Sequence, residues 1–164
     1  MSGFLFSKTE FVVNPIAVDD SDVLHEIHKK SFYHAWDDAT FSAFLTDPRI
    51  FGFTAGPIGK PAKVAGFVLC RLVVDEAEIL TIAVHPRFRA KGIGHKLMDA
   101  VFRYLYQQRA KELFLDVDEN NLAALSLYKS FGFGEVGRRP GYYQTDKGHS
   151  DALIMRRTIQ QQAG

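Results

Sequence analysis

The stretch that most constrains the fold runs from residue 78 to residue 105. Residues 78–84 read as an apolar strand, Pro86 ends it, and a basic loop follows, Arg87-Phe-Arg-Ala-Lys-Gly-Ile-Gly94. Beyond the loop, Ile93, Leu97, Met98, Val101, Phe102 and Leu105 fall on one stripe of a long helix. Strand, glycine loop and amphipathic helix in that order demand layers, because the stripe has to be buried against the sheet to which the strand belongs.

The remaining segments supply the layers. Residues 11–13 read as a first strand, and Asp19, Asp20 and Ser21 offer N-cap chemistry to a helix carrying Val23, Leu24 and Ile27. A second helix starts near Asp38, with Phe41, Phe44 and Leu45 on one face, and Pro48 stops it. Residues 50–55 and 63–74 read as strands joined by the turn Gly56-Pro-Ile-Gly59, and Asp75-Glu76 turns the chain into the strand at 78. After the long helix come a strand over 113–117 and a helix capped by Asn121 and carrying Leu122, Leu125, Tyr128 and Phe131. Gly132 and Gly134 end that helix, and strands at 134–143 and 151–155 close the chain as a hairpin, with a loose tail over 158–164. The class is α/β, or mixed α+β: one sheet of about six to seven strands with about four helices on its two faces.

Composition narrows the function classes. At 46% hydrophobic and 24% charged residues the chain has the make-up of an ordinary globular domain, and its 164 residues read as one domain. The 14 phenylalanines are most simply core. A net charge of +1 gives no basic excess for nucleic acid, and no apolar run approaches membrane-spanning length. The N-terminal ten residues lack the pattern of a signal peptide. Cys70, the only cysteine, lies in an apolar run and reads as a small buried hydrophobe, which suits a reducing cytoplasm. The histidines form no metal-ligand cluster; His25 and His28 share a helix face and are expected to be solvated.

The basic loop carries the chemistry. Backbone N–H groups at a helix N-terminus bind anions, glycines let the backbone approach them, and Arg87, Arg89 and Lys91 add positive charge. The loop is not a Walker motif, since His95-Lys96 follows Gly94, and it lacks the dinucleotide fingerprint. By itself a glycine turn before an ordinary helix explains it equally well.

Other motifs stand in a telling order. The run from Glu78 through His85-Pro86, then Arg89-Ala-Lys-Gly-Ile-Gly94 and the long helix, resembles the acetyl-CoA motif of the GNAT acetyltransferase superfamily, and residues 115–133 resemble its following strand and helix. Gly137-Arg-Arg-Pro-Gly-Tyr-Tyr143 and Asp151-Ala-Leu-Ile-Met155 are similar to the ribosomal-protein-alanine (RimI-type) N-acetyltransferases within it. Ser31-Phe-Tyr-His-Ala-Trp36 looks like a degraded form of that group's substrate-loop motif, with Ala35 where a proline is common. The resemblance spans roughly residues 15–157.

The resemblance implies a GNAT fold and transfer of an acetyl group from acetyl-CoA directly to a primary amine, without a metal. It places the cofactor against Arg89, Ala90, Lys91, Gly92, Ile93, Gly94 and His95, against the backbone of Ile82, Ala83 and Val84, and at Asn121, which serves equally as a plain helix cap. Such a transfer needs a neutral amine, stabilisation of the oxyanion and a proton for the departing thiolate. Tyr128 matches the family's proton donor. A tyrosine near pKa 10 donating to a thiolate near 8.5 works uphill by about 2 kcal/mol. Asp116 stands where RimI-type enzymes carry a glutamate base, and its shorter side chain implies a bridging water. By strand alternation Asp116 and Asp118 share a face with Phe114, opposite Leu113, Leu115 and Val117. Glu78 is the rival base, at the position of the histone-type GNAT glutamate. Trp36, Tyr142 and Tyr143 are walls of the amine-side groove or packing aromatics. Neutralising a chain-terminal amine at pH 7 costs about 1 kcal/mol, against about 4.6 kcal/mol for lysine. One water-linked aspartate suits the first, so the expected partner is a protein N-terminus, a ribosomal protein among the candidates, with the enzyme a monomer or weak dimer. The alternatives are a GNAT enzyme for a small-molecule amine or lysine, and a non-catalytic CoA-binding module.

Overall fold

The computed structural model describes residues 9–32, 35–60 and 63–159. Tyr33 and His34 of the substrate-loop motif, most of the N-terminal segment and residues 160–164 of the expected tail lie outside the described residues. The elements are β1 (Phe11–Pro15), α1 (Ser21–Lys29), α2 (Asp38–Leu45), β2 (Ile50–Pro57), β3 (Gly66–Val73), β4 (Glu76–Val84), α3 (Ile93–Gln107), β5 (Glu112–Asp118), α4 (Leu122–Ser130), β6 (Gly134–Thr145) and β7 (Gly148–Thr158). They form one seven-stranded sheet in the order β1-β2-β3-β4-β5-β7-β6. Its one parallel pair is β4 with β5, and α3 provides the crossover between them.

Both faces are covered in the middle of the sheet. Leu97, Met98, Val101 and Leu105 of α3 pack on Val68, Cys70, Ile79, Leu113 and Leu115. On the other face Leu24 and Ile27 of α1 and Phe41 of α2 pack on Phe67, Leu69 and Ala83. This explains the continuous apolar run at the start of β3: a strand covered on both faces alternates between two cores rather than between core and water. Each fully buried leucine contributes about 1.5–3 kcal/mol of transfer free energy. Cys70 is among these buried residues, and burial pushes its thiol well above the ordinary range, so it is packing rather than a nucleophile.

Several boundaries differ from the sequence reading. The turn before β4 is Val74-Asp75, and the strand begins at Glu76, so Glu78 is its third residue rather than its first. The terminal hairpin is longer than expected, and the tail begins later: Thr158 belongs to β7, and Ile159 is buried in the main core. Asp37 caps α2, its carboxylate accepting the Thr40 N–H at 2.8 Å.

The expectation of solvated histidines fails at His28. It is buried, stacked between Phe32 (4.3 Å) and Trp36 (4.8 Å), and its Nδ1 accepts the Trp36 N–H at 3.2 Å. His25 contacts the Trp36 carbonyl at 2.9 Å. Helical spacing places the two on one face but does not reveal that the loop after α1 folds back over that face. Burial, then the neighbouring His25, lowers His28 from its ordinary value to about 4. A histidine depressed in the folded state contributes stability above its unfolded pKa, near 6.5, and loses it as pH falls toward 4. Urea midpoints are therefore expected to decline from pH 7 to pH 4.5, with the slope flattened in His28→Gln.

Candidate active site

The site begins where the sheet opens. β4 pairs with β5 only from Glu76/Glu112 to Ile79/Leu115. On its other side β4 stays paired with β3, but the register jumps from Cys70↔Ile79 to Leu69↔Thr81, leaving Leu80 as an extra residue. Such a bulge bends its strand and shifts the alternation by one. Before it, Ala77 and Ile79 face the α3 core; after it, Ile82 and Val84 take that side while Ala83 faces the α1–α2 core. Beyond Ile79, β4 has no pairing with β5.

The opened edge presents backbone groups. His85 donates its N–H to the Ala65 carbonyl of the preceding segment at 2.7 Å. Alternation in an antiparallel pair then turns Ala83 toward β3 as well, and turns Ile82 and Val84 toward the opening. The Val84 carbonyl accepts from Arg89 Nε at 3.3 Å on that outer side. Of the three residues implicated by resemblance, Ile82 and Val84 offer amides to the gap and Ala83 does not.

At the mouth of the opening the basic loop leads into α3. Gly92 takes the N-cap position with φ 79°, a left-handed conformation that favours glycine, and the cap has no side-chain hydrogen bond. The first turn of α3 contains no acidic residue. A Cβ at Gly92 would meet nothing within 4 Å, so space is open beside the loop. Among the described residues no carboxylate pairs with Arg87, Arg89 or Lys91. Lys30, at the end of α1, adds a cation that sequence reading missed: its Nζ lies 3.5 Å from His85 Nε2. Partial burial, then Lys30, Arg87 and Arg89, hold His85 below its ordinary pKa. Uncapped helix amides, several unpaired cations and an open approach match a diphosphate in charge and in hydrogen-bonding sense.

Tyr128 of α4 belongs to the α3-side core, 4% exposed, with its ring edge-on to Phe133 at 5.7 Å. Its hydroxyl makes no hydrogen bond among the described residues. Burial, then Tyr143 and Cys70, pushes that hydroxyl well above 10, so it holds its proton at neutral pH. It is also a weaker acid than a free tyrosine, which widens the uphill step expected from the sequence.

Asp116 projects from β5 on the face away from Leu115 and Val117, as alternation requires. The structure gives it a partner the sequence did not reveal: Arg139 of β6, whose Nε donates to Oδ2 at 3.3 Å. Tyr143 is half-buried, and its hydroxyl is raised by burial first and the Asp116 carboxylate next. Tyr142 is 57% exposed, edge-on to Tyr143 at 5.1 Å and beneath the Arg139 guanidinium at 5.7 Å. Glu78 is level with Phe114 across β4 and β5, on the Asp116 face, and is paired with Arg71 at 2.7 Å.

Two other residues are occupied structurally. Asn121 caps α4, its Oδ1 accepting the Ala124 N–H at 3.1 Å. Trp36 packs against His28, Phe41 (5.6 Å) and Phe44 (5.2 Å) in the α1–α2 layer, and among the described residues no ring contact joins it to Tyr142 or Tyr143.

Residues 21–133, which contain the loop, the opened edge and Tyr128, match the model of the Acetyltransferase (GNAT) family. The chain belongs to this family. GNAT enzymes take their acetyl group from acetyl-CoA, and the uncapped helix and opened β4 edge fit that cosubstrate. Among similar proteins, the ribosomal protein bS18-alanine N-acetyltransferase of Escherichia coli K12 is 31% identical over 143 residues, covering 87% of this chain and 94% of that one. The enzyme of the same name from Haemophilus ducreyi is 34% identical over 145 residues, covering 88% and 97%. The crystal structure of the Escherichia coli ribosomal-protein-S18-alanine N-acetyltransferase superposes with a TM-score of 0.87 at 30% identity, covering 94% of this GNAT chain and 97% of that one.

Proposed function

We propose that this GNAT chain acetylates the N-terminal α-amine of a protein, of the ribosomal-protein-alanine type, and works as a single cytoplasmic domain. The observation that carries the reading is the loss of pairing between β4 and β5 beyond Ile79, next to a helix start without a side-chain cap, and it is supported by the electrostatic linkage of Tyr128 to Tyr143 and of Tyr143 to Asp116. The near full-length similarity to bS18-alanine N-acetyltransferases supports the acceptor class. No helix among the described residues is long and apolar enough to cross a membrane.

Each residue has a definite task in this reading. The amides of Gly92 to His95 and the cations of Arg87, Arg89, Lys91 and Lys30 hold the cosubstrate's phosphates. The amides of Ile82 and Val84 hold its arm along β4 and face the reacting carbonyl. Acetyl-CoA supplies the acetyl group as an activated thioester. Asp116 accepts the amine proton through a water, because its side chain is short and already engaged by Arg139. Tyr128 holds the proton that the departing sulfur takes. Tyr142 and Tyr143 line the amine side. Trp36 flanks the acceptor entrance from the α1–α2 layer, and Asn121 contacts the cosubstrate while it caps α4.

Two measurements test this. Acetyl-CoA turnover on alanine-start peptides, including the N-terminus of bS18, is expected to exceed turnover on polyamines, aminoglycosides and blocked lysine peptides by about tenfold or more, following the α-amine's lower pKa. Preference for a small-molecule amine rejects the acceptor assignment. Asp116→Asn is expected to lower kcat/KM by about a hundredfold, within the usual range for a general base, with Glu78→Gln much milder. The reverse order moves the base to Glu78.

A further inference from the structure

The terminal hairpin contains a distortion that the reaction scheme above leaves unused. β6 and β7 pair in register from Gly137↔Ile154 to Arg139↔Ala152 and resume only at Tyr143↔Ser150. Pro140, Gly141 and Tyr142 therefore stand opposite the single residue Asp151. Gly141 has φ 62°, so the chain loops outward there and re-enters the strand at Tyr143.

The Asp151 carboxylate closes this gap. One oxygen accepts the Gly141 N–H at 2.8 Å, and the other accepts Arg138 Nη1 at 2.7 Å. The same Arg138 nitrogen donates to Glu119 at 2.5 Å, and the Glu119 N–H donates to the Asp151 carbonyl at 3.0 Å. Glu119 directly follows β5, the strand of Asp116, and lies two residues before the cap of α4, the helix of Tyr128. The base strand, the start of the Tyr128 helix and the aromatic bulge are thus fastened at one point. Below the bulge, Ser150 donates to Asp118 at 2.8 Å and holds the Tyr143 level of the hairpin to β5. The hydrogen bond from Gly141, then Arg138, holds the Asp151 carboxyl below its ordinary pKa. Tyr143 is close enough to Asp116 to feel its carboxylate.

We propose that Asp151, with Arg138, is the positioning residue of the amine side: it fixes the bulge so that Tyr142 and Tyr143 stand at the acceptor entrance. This rests on the amine-side reading of the hairpin given above. Arg138 and Asp151 are both partly exposed, so their ion pair adds little to global stability. Its effect is local, on the placement of the two tyrosines, and a small misplacement of a binding wall has large kinetic consequences.

The test uses the full chain and a short alanine-start peptide. KM for the peptide, KM for acetyl-CoA, binding of the labelled peptide to the CoA-loaded protein, and exchange of the Gly141 amide are measured in Asp151→Ala, Asp151→Asn, Arg138→Met and Tyr142→Ala. Asp151→Ala is expected to raise peptide KM and Kd by about tenfold, leave acetyl-CoA KM unchanged and speed Gly141 exchange. Asp151→Asn, whose amide oxygen still accepts from Gly141, recovers part of the affinity. If Tyr142→Ala raises peptide KM and Asp151→Ala does not, the positioning role is overturned and the amine-side reading stands. If neither raises it, both are overturned. An equal rise in both KM values also overturns the proposal, since it signals general loss of structure. Should Asp151→Ala fail to fold, Arg138→Met decides by the same comparison.

Discussion

Tyr128→Phe is expected to lower kcat by about a hundredfold or more while leaving melting temperature and acetyl-CoA KM unchanged. The substitution removes one oxygen and keeps the ring. The ring is buried against Phe133, a contact phenylalanine preserves. The hydroxyl has no hydrogen-bond partner among the described residues, so its loss orphans no buried donor or acceptor. The oxygen is therefore not needed for the fold. In the proposed reaction it contributes a proton, held firmly because burial raises its pKa. Steady-state kinetics with calorimetric melting checks this. Unchanged turnover would return Tyr128 to the role of an ordinary member of the α4 apolar stripe.

His95→Glu is expected to move stability and binding in opposite directions. His95 is exposed in the first turn of α3, where the uncapped amides give the helix end a positive partial charge. A carboxylate there stabilises the helix by about 0.3–1 kcal/mol. The same carboxylate repels a diphosphate held by those amides. At separations near 7 Å and a surface-like effective dielectric, the repulsion exceeds about 1.4 kcal/mol, so acetyl-CoA KM should rise by about tenfold or more. His95→Gln separates charge from shape and should leave KM near that of the parent. A thermal melt and a KM determination on the two variants suffice. A Glu variant that is both more stable and unimpaired in acetyl-CoA KM places the phosphates elsewhere.

Most of the scaffold was legible because its signals are local. The α3 stripe, the start of α2 at Asp38 and the glycine loop each depend on neighbours within a turn or two of chain, and each lies where the spacing put it. The features that shape the site depend on contacts between distant segments. The β4 bulge has no residue signature in Ile79-Leu80-Thr81, since all three suit a regular strand, yet it opens the sheet and decides which amides face the gap. The partnership of Asp116 with Arg139 spans 23 residues and exists only because β7 lies between β5 and β6. His28 and Lys30 were misread or missed for the same reason: what covers His28 is the Trp36 segment, and what Lys30 approaches is His85, far along the chain. Residue types implied the chemistry, and the register of the sheet determined which of those residues meet.

In the proposed function the start of α3 receives the phosphates of acetyl-CoA. Backbone amide NMR during titration with CoA tests it directly, because the groups said to bind are themselves the reporters. The largest shifts are predicted at Gly92, Ile93, Gly94 and His95, with a second set at Ile82 and Val84 along the opened edge of β4. Saturable binding that leaves the Gly92 to His95 amides unmoved would contradict the account.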